Sequence, residues 1–181
     1  MSTLHPQLRP GTPDDAVTIA ALAVQVFLDT YATEGVRPDL AREAFSVYSA
    51  EAFARRLNEP ARRFLLAEEA SGLLGFAEFI AAPLPAPAGA AIGAELVRLY
   101  VQPRFQRAGI GRRLLQAAEA AAASAGLVDL WLTACEGNHR ARSFYEAVGY
   151  RDIGTTTYAF EGLTYANRVL VRHLPQRTSA D

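Results

Sequence analysis

The chain has 181 residues, half of them hydrophobic, which suits one compact domain with a full core. Its formal net charge is -1, with 18 basic and 19 acidic residues spread along the chain, so no sequence-independent grip on nucleic acid or on an anionic membrane is implied. A single cysteine, Cys135, excludes an internal disulfide, the three histidines (His5, His139, His173) have no metal-ligand spacing, and no apolar run is long enough to cross a bilayer.

MSTLHPQLRPGTPDD carries no apolar signal core, so a cytoplasmic chain acting on small partners is the expectation. LHPQLRP reads as a first strand. Thr12-Pro13-Asp14-Asp15 then offers an N-cap, a proline at N1 and an acid at N3. Ile19, Leu22, Ala23, Val26 and Phe27 recur at helical spacing and predict a helix to about Asp29. Tyr31 to Tyr48 shows no clear period and is read as irregular. A second helix is predicted to open at Ser49 and to carry Phe53 and Leu57 inward before Pro60; RFLLAEE and GLLGFAEFIAA follow as a hairpin turning at Ser71-Gly72.

PLPAPAGAAIG, from Pro83 to Gly93, is uncharged and punctuated by proline and glycine, and is read as a long loop in preference to a domain linker. In AELVRLYV, Glu95, Val97, Leu99 and Val101 share one face of a strand and Leu96, Arg98 and Tyr100 the other. Gly109 to Ala125 is predicted as a helix, LVDLWLTA as a strand, and Asn138 to Val148 as a helix ended by Gly149. YRDIGTTTYAF and LTYANRVLVRHL are two final strands turning at Glu161-Gly162. The expected organisation is one domain over residues 1–175 with a loose tail at 176–181.

QRAGIGRR, residues 106–113, lies between a strand and a helix. Such a turn presents unpaired backbone N–H groups and a positive dipole end to an anion, and phosphate is the natural guest. Gly109 and Gly111 let the main chain approach oxygen atoms closely, and Arg104, Arg107, Arg112 and Arg113 add charge. A P-loop would require a lysine after the second glycine, and a dinucleotide turn would require glycine where Leu114 stands, so neither pattern fits. A merely relaxed strand-to-helix turn is the competing reading.

Context separates the two. Gln106-Arg107-Ala108-Gly109-Ile110-Gly111 matches Q/R-x-x-G-x-G/A, and Asn138, Ala141, Phe144, Tyr145, Glu146, Gly149 and Tyr150 match N-x-x-A-x-x-F-Y-E-x-x-G-Y/F. On these motifs the sequence resembles the GCN5-related N-acetyltransferases over roughly residues 5–173, the first third in pattern alone. The resemblance implies a mixed α/β fold with about four helices and a mostly antiparallel seven-stranded sheet splayed between strands 4 and 5. It implies acetyl-CoA as cosubstrate, with the diphosphate on the main chain of Arg107, Ala108, Gly109, Ile110, Gly111 and Arg112. The pantetheine arm would run along the fourth strand at Leu99, Tyr100 and Val101, pairing with the backbone of Leu99 and Val101. By the same resemblance Tyr145 is the acid for the leaving sulfur, and Asn138 faces the cofactor or simply caps its helix.

Direct transfer needs an amine freed of its proton and a departing thiolate given one. Glu95, on the strand that would hold the pantetheine, is the candidate for the first task, directly or through a water. A lysine-like amine with a pKa of about 10.4 costs on the order of 4.6 kcal/mol to hold neutral at pH 7, against about 1.4 kcal/mol for an α-amino group near 8. A thiol mechanism through Cys135 and His139 lacks an orienting third group. The motif stretches are most similar to the bacterial spermidine and spermine N-acetyltransferases, for which Asp29, Glu34 and Glu95 would supply carboxylates; Glu34, Glu68, Glu69 and Glu78 are further acids for an acceptor cleft. Peptide N-termini and lysines are alternative acceptors, and an acyl-CoA-binding regulatory module without transfer is the alternative of another class. A homodimer paired through the last strands is implied by resemblance alone, and no metal, nucleic acid or membrane partner is expected.

Overall fold

The computed structural model describes residues 6–89, 91–160 and 162–175. The first residues of the expected opening strand, Glu161 of the last turn and the tail after Pro175 lie outside the described residues. Seven strands and five α-helices are present among them: β1 (Gln7–Pro10), α1 (Ala16–Tyr31), α2 (Pro38–Ser46), α3 (Ala50–Leu57), β2 (Arg62–Glu69), β3 (Gly72–Pro85), β4 (Ile92–Val101), α4 (Ile110–Ser124), β5 (Asp129–Cys135), α5 (His139–Ala147), β6 (Arg151–Phe160) and β7 (Leu163–His173). The strands form one sheet in the order β1-β2-β3-β4-β5-β7-β6, mostly antiparallel with the parallel pair β4 and β5. The β4–β5 ladder comprises just two residue pairs, Ala94 with Leu130 and Glu95 with Trp131, the short seam that a splayed sheet requires. No helix among the described residues is long and apolar enough to cross a membrane.

The chain packs as two compact units, one running up to Glu78 and joined by Arg98–Ala117, the other made of Phe79–Val97 and the chain from Ala118 onward. In the first unit, Thr12 and Asp15 form the expected capping box around a short 3-10 turn ahead of α1. The Asp15 carboxylate accepts from the Thr12 N–H at 2.8 Å and from both terminal nitrogens of Arg9 at 2.7 and 2.8 Å, while Arg9 also reaches Glu68 on β2. Ile19, Leu22, Ala23, Val26 and Phe27 are buried as their spacing predicts and pack with Phe53, Phe64 and Phe76. Ser49 caps α3 by accepting from the Ala52 N–H at 3.1 Å.

The segment expected to be irregular instead contains α2, which raises the helix count from about four to five. Its Pro38 and Asp39 are ordinary first-turn residues, and Leu40 and Ala44 are its buried apolar contacts. Nine residues bury too few apolar groups for a period to stand out.

In the second unit, β5 pairs with β7 through seven residue pairs from Asp129–His173 to Cys135–Asn167, and β6 pairs with β7 on its other side. The proline-rich loop expected from Pro83 to Gly93 is shorter at both ends: β3 continues to Pro85, β4 starts at Ile92, and Ala86 N–H closes the tip on Ala91 O at 2.9 Å. Burial overrides the local punctuation here, because Ala86 and Ala91 pack with Trp131, Val169 and Val171, and the Trp131 indole donates to Leu84 O at 3.1 Å. Gly93 is required where β4 meets β5, since a Cβ there would lie 2.1 Å from Asp129 O.

One carboxylate of the first unit is fully buried. Glu78 accepts from Arg62 and from Arg98, each at 2.6 Å, and Arg98 lies over the Tyr48 ring at 5.2 Å from its centroid. Burial opposes the Arg98 charge, but Glu78 and the neighbouring tyrosines outweigh it and hold that guanidinium more firmly protonated than usual. Arg62 has a second partner in Glu59, so removing Glu78 leaves Arg98 as the uncompensated buried charge. Glu78→Ala is therefore expected to lower stability by about 3–5 kcal/mol in urea denaturation, and a loss below about 1 kcal/mol would show that water already solvates Arg98.

Candidate active site

In the first unit the candidate site is the exit from β4 into α4. Gln102 N–H donates to Leu74 O at 2.9 Å, so this edge of β4 faces β3. Main-chain groups alternate along a strand, so those of Leu99 and Val101 point to the opposite edge. Val101 O already accepts from the Gln106 side chain at 2.9 Å, which leaves the Val101 N–H and the Leu99 groups on that edge for a bound chain. Tyr100 is placed differently from its two neighbours. Its ring packs against Phe76, its hydroxyl lies 3.1 Å from that of Tyr48, and burial raises its phenol well above the ordinary tyrosine value.

Beyond a 3-10 turn at Pro103–Phe105 the backbone enters the left-handed region twice, at Arg107 (φ 64) and Gly109 (φ 80). Arg113 N–H then donates to Gly109 O at 3.1 Å as α4 begins, so the N–H groups of Ile110, Gly111 and Arg112 have no carbonyl one turn behind them. Nothing lies within 4 Å of where a Gly109 Cβ would stand. Successive N–H groups around left-handed residues form a concave anion seat, and Arg104, Arg107, Arg112 and Arg113 are all exposed around it. Ile110, fully buried, anchors the helix start beneath. The residues present fit a diphosphate.

The second unit holds the other expected site residues. Glu95 is half-buried on β4, opposite Trp131 of β5. Cys135 O at the end of β5 accepts from the Asn138 N–H at 2.9 Å, and the Asn138 side chain accepts from the Ala141 N–H at 3.1 Å. The helix-cap role of Asn138 is thus present in the structure. Tyr145 is 8% exposed, more buried than Phe144, with the Phe144 and Tyr150 rings edge-on at 5.2 and 5.5 Å. Cys135 is half-buried and His139 exposed at the first position of α5. No group of metal-ligating side chains is found among the described residues.

The acids expected to line an acceptor cleft separate into two kinds. Glu68 is engaged by Arg9, and Glu78 is buried between Arg62 and Arg98, so both hold the fold. Asp29 and Glu34 are exposed. Gln102, whose side chain donates to Leu73 O at 3.2 Å while its N–H holds Leu74, was not a candidate from sequence; its single signal is its place at the strand end.

The family model described as acetyltransferase (GNAT) family matches residues 32–150. The chain is 29% identical over 161 residues to an uncharacterized N-acetyltransferase of Mycobacterium bovis, covering 88% of this chain and 98% of that protein. It is 32% identical over 150 residues to the uncharacterized N-acetyltransferase YhfO of Bacillus subtilis, covering 80% of this chain and 89% of that protein. The solved structure of PaiA N-acetyltransferase from Thermoplasma acidophilum in complex with coenzyme A shares the fold, with a TM-score of 0.77 and 23% identity over 94% of this chain and 99% of that one. With more than half of its length matched, the chain belongs to the GNAT family and is an N-acetyltransferase of that type, with acetyl-CoA as its cosubstrate.

Proposed function

We propose that the turn at Arg107–Arg112 clasps the diphosphate of acetyl-CoA and that Tyr145 and Glu95 manage the two protons of acetyl transfer to a primary amine. The observation that carries this reading is the pair of left-handed residues, Arg107 and Gly109, directly ahead of the first-turn N–H groups of α4. The main chain of Leu99 and Val101 on the edge away from β3 supports the placement of the pantetheine arm there. Bound acetyl-CoA supplies a thioester, whose acetyl group passes to the acceptor nitrogen as the carbon–sulfur bond breaks. Tyr145 gives its phenolic proton to the departing sulfur. Glu95 takes the proton that the nitrogen loses, directly or through one water. Asn138 serves α5 as its cap and, in this proposal, contacts the cofactor as well.

The favoured acceptor is a polyamine-like small molecule, as the similarity of the motif stretches to spermidine and spermine N-acetyltransferases suggests. Exposed Asp29 and Glu34 and half-buried Glu95 are the carboxylates offered for it. A peptide N-terminus or lysine is the next acceptor class. The activity is placed in the cytoplasm, and a homodimer joined through the last strands belongs to the same proposal.

Gly109→Trp is expected to abolish coenzyme A binding, because the indole occupies the space above the seat and the residue needs a left-handed φ of 80. Calorimetric titration checks this, and unchanged affinity would move the diphosphate elsewhere. Tyr145→Phe is expected to leave coenzyme A affinity intact and to lower kcat by about 10²-fold or more, as loss of a general acid does. Full turnover would remove Tyr145 from the chemistry. In a screen of amines for thiol release from acetyl-CoA, spermidine and spermine are expected to respond most strongly. Silence from every polyamine would defeat that acceptor class, and tight coenzyme A binding with no release from any amine would make the chain an acyl-CoA-binding module.

A further inference from the structure

The hydroxyl of Tyr150 donates to Glu119 Oε1 at 3.1 Å, and both residues are buried. Burial first, and then the Glu119 carboxylate, hold the Tyr150 phenol well above its ordinary value, which fixes the direction of this hydrogen bond. The same Glu119 oxygen accepts from Arg172 Nη1 at 3.1 Å, and that nitrogen also donates to Val148 O at 2.8 Å. Glu119 stands on α4, Arg172 on β7, and Val148 and Tyr150 on the turn that follows α5.

This arrangement closes around Tyr145. Tyr150 N–H donates to Tyr145 O at 3.0 Å, Val148 N–H is shared between Phe144 O and Tyr145 O at 3.2 Å, and Gly149 at φ 96 reverses the chain between them. The Tyr150 ring meets the Tyr145 ring edge-on at 5.5 Å and 64°. Tyr145 is therefore tied at its backbone and at its ring to the two groups that Glu119 and Arg172 hold. A nine-residue helix has little stability of its own, so the direction of a side chain in its last turns is set by such outside contacts.

We infer that Glu119 is a positioning residue for the acetyl transfer: through Tyr150 and Arg172 it fixes the last turn of α5 and the aim of the Tyr145 phenol. The inference rests on the proposed acid role of Tyr145. Misplacing a catalytic group by a fraction of an ångström to an ångström slows the reaction without weakening cofactor binding.

The test is a set of steady-state measurements on Glu119→Ala, Glu119→Gln, Tyr145→Phe and the double variant Glu119→Ala with Tyr145→Phe. Glu119→Ala is expected to lower kcat by about tenfold with KM for acetyl-CoA unchanged. Glu119→Gln, which keeps a carbonyl oxygen for both donors, should restore most of that loss. In the Tyr145→Phe background Glu119→Ala should cost nothing further, since no phenol remains to be aimed. If Tyr145→Phe is slow but Glu119→Ala turns over normally, or if its loss is the same in both backgrounds, the positioning role is overturned while the acid survives. If Tyr145→Phe itself turns over at full rate, the acid reading fails instead. Should Glu119→Ala not fold, Tyr150→Phe removes the hydroxyl bond alone, keeps the ring, and is expected to lower kcat in the same KM-independent way; an unchanged kcat overturns the inference.

Discussion

Two glutamines hold the chain as it leaves β4, and the candidate cofactor seat depends on that restraint. Gln102 is tied to the start of β3 through both its side chain and its backbone, and Gln106 is tied back to Val101 O. Between Gln106 and Ile110 the backbone must reverse within three residues, and it does so through left-handed Arg107 and Gly109. Glycine accepts that geometry freely, whereas Arg107 carries a cost of about 1–2 kcal/mol for its Cβ. The glutamine bonds and the buried Ile110 offset it. A strained non-glycine residue beside first-turn amide groups is an arrangement of the kind that clusters at ligand clamps.

The second unit reaches a similar precision by other means. Seven β5–β7 pairs fix the end of β5, its last carbonyl receives Asn138, and Asn138 caps α5. From that cap Tyr145 lies two turns on, and the far end of the helix is closed by Gly149 and the Glu119–Tyr150–Arg172 cluster. The short helix is defined at both ends by bonds that its own propensity does not supply. The Asn138 cap that sets the register of α5 thereby also sets where Tyr145 stands on it.

What was legible in the residues follows how locally each signal is written. The stripe from Ile19 to Phe27, the cap at Ser49, the alternation of β4 and the turn at Gly109 each depend on neighbours in sequence, and the structure has them where the spacing predicts. The hairpin of β3 and β4 was hidden because Pro83, Pro85 and Gly89 punctuate it, while the Trp131 cluster that holds it lies over forty residues away. Helix α2 was hidden because its apolar contacts are few. At the candidate site the left-handed glycine turn was readable from the residues themselves, whereas Tyr145 was singled out through the family resemblance. Gln102 and Glu119 were not, since a glutamine at a strand end or a glutamate in an alanine-rich helix looks like any solvated residue until the fold brings its partners.

The distribution of acids narrows the chemistry open to the acceptor. A cationic substrate needs carboxylates that are not already neutralised, and the fold has committed several of them. Asp15 and Glu68 share Arg9, Glu78 lies between Arg62 and Arg98, Asp152 holds Arg168, and Glu119 holds Arg172. A carboxylate already paired with arginine attracts a second cation weakly, because the pair presents little net field. The acids that retain a field toward solvent are those on exposed ends such as Asp29 and Glu34, which follow one another across the end of α1. A polyamine would meet its charge there and not along the arginine-lined interior of the first unit. In that interior Arg56, Arg62 and Arg98 lie around one glutamate, so it offers a cation no unpaired carboxylate.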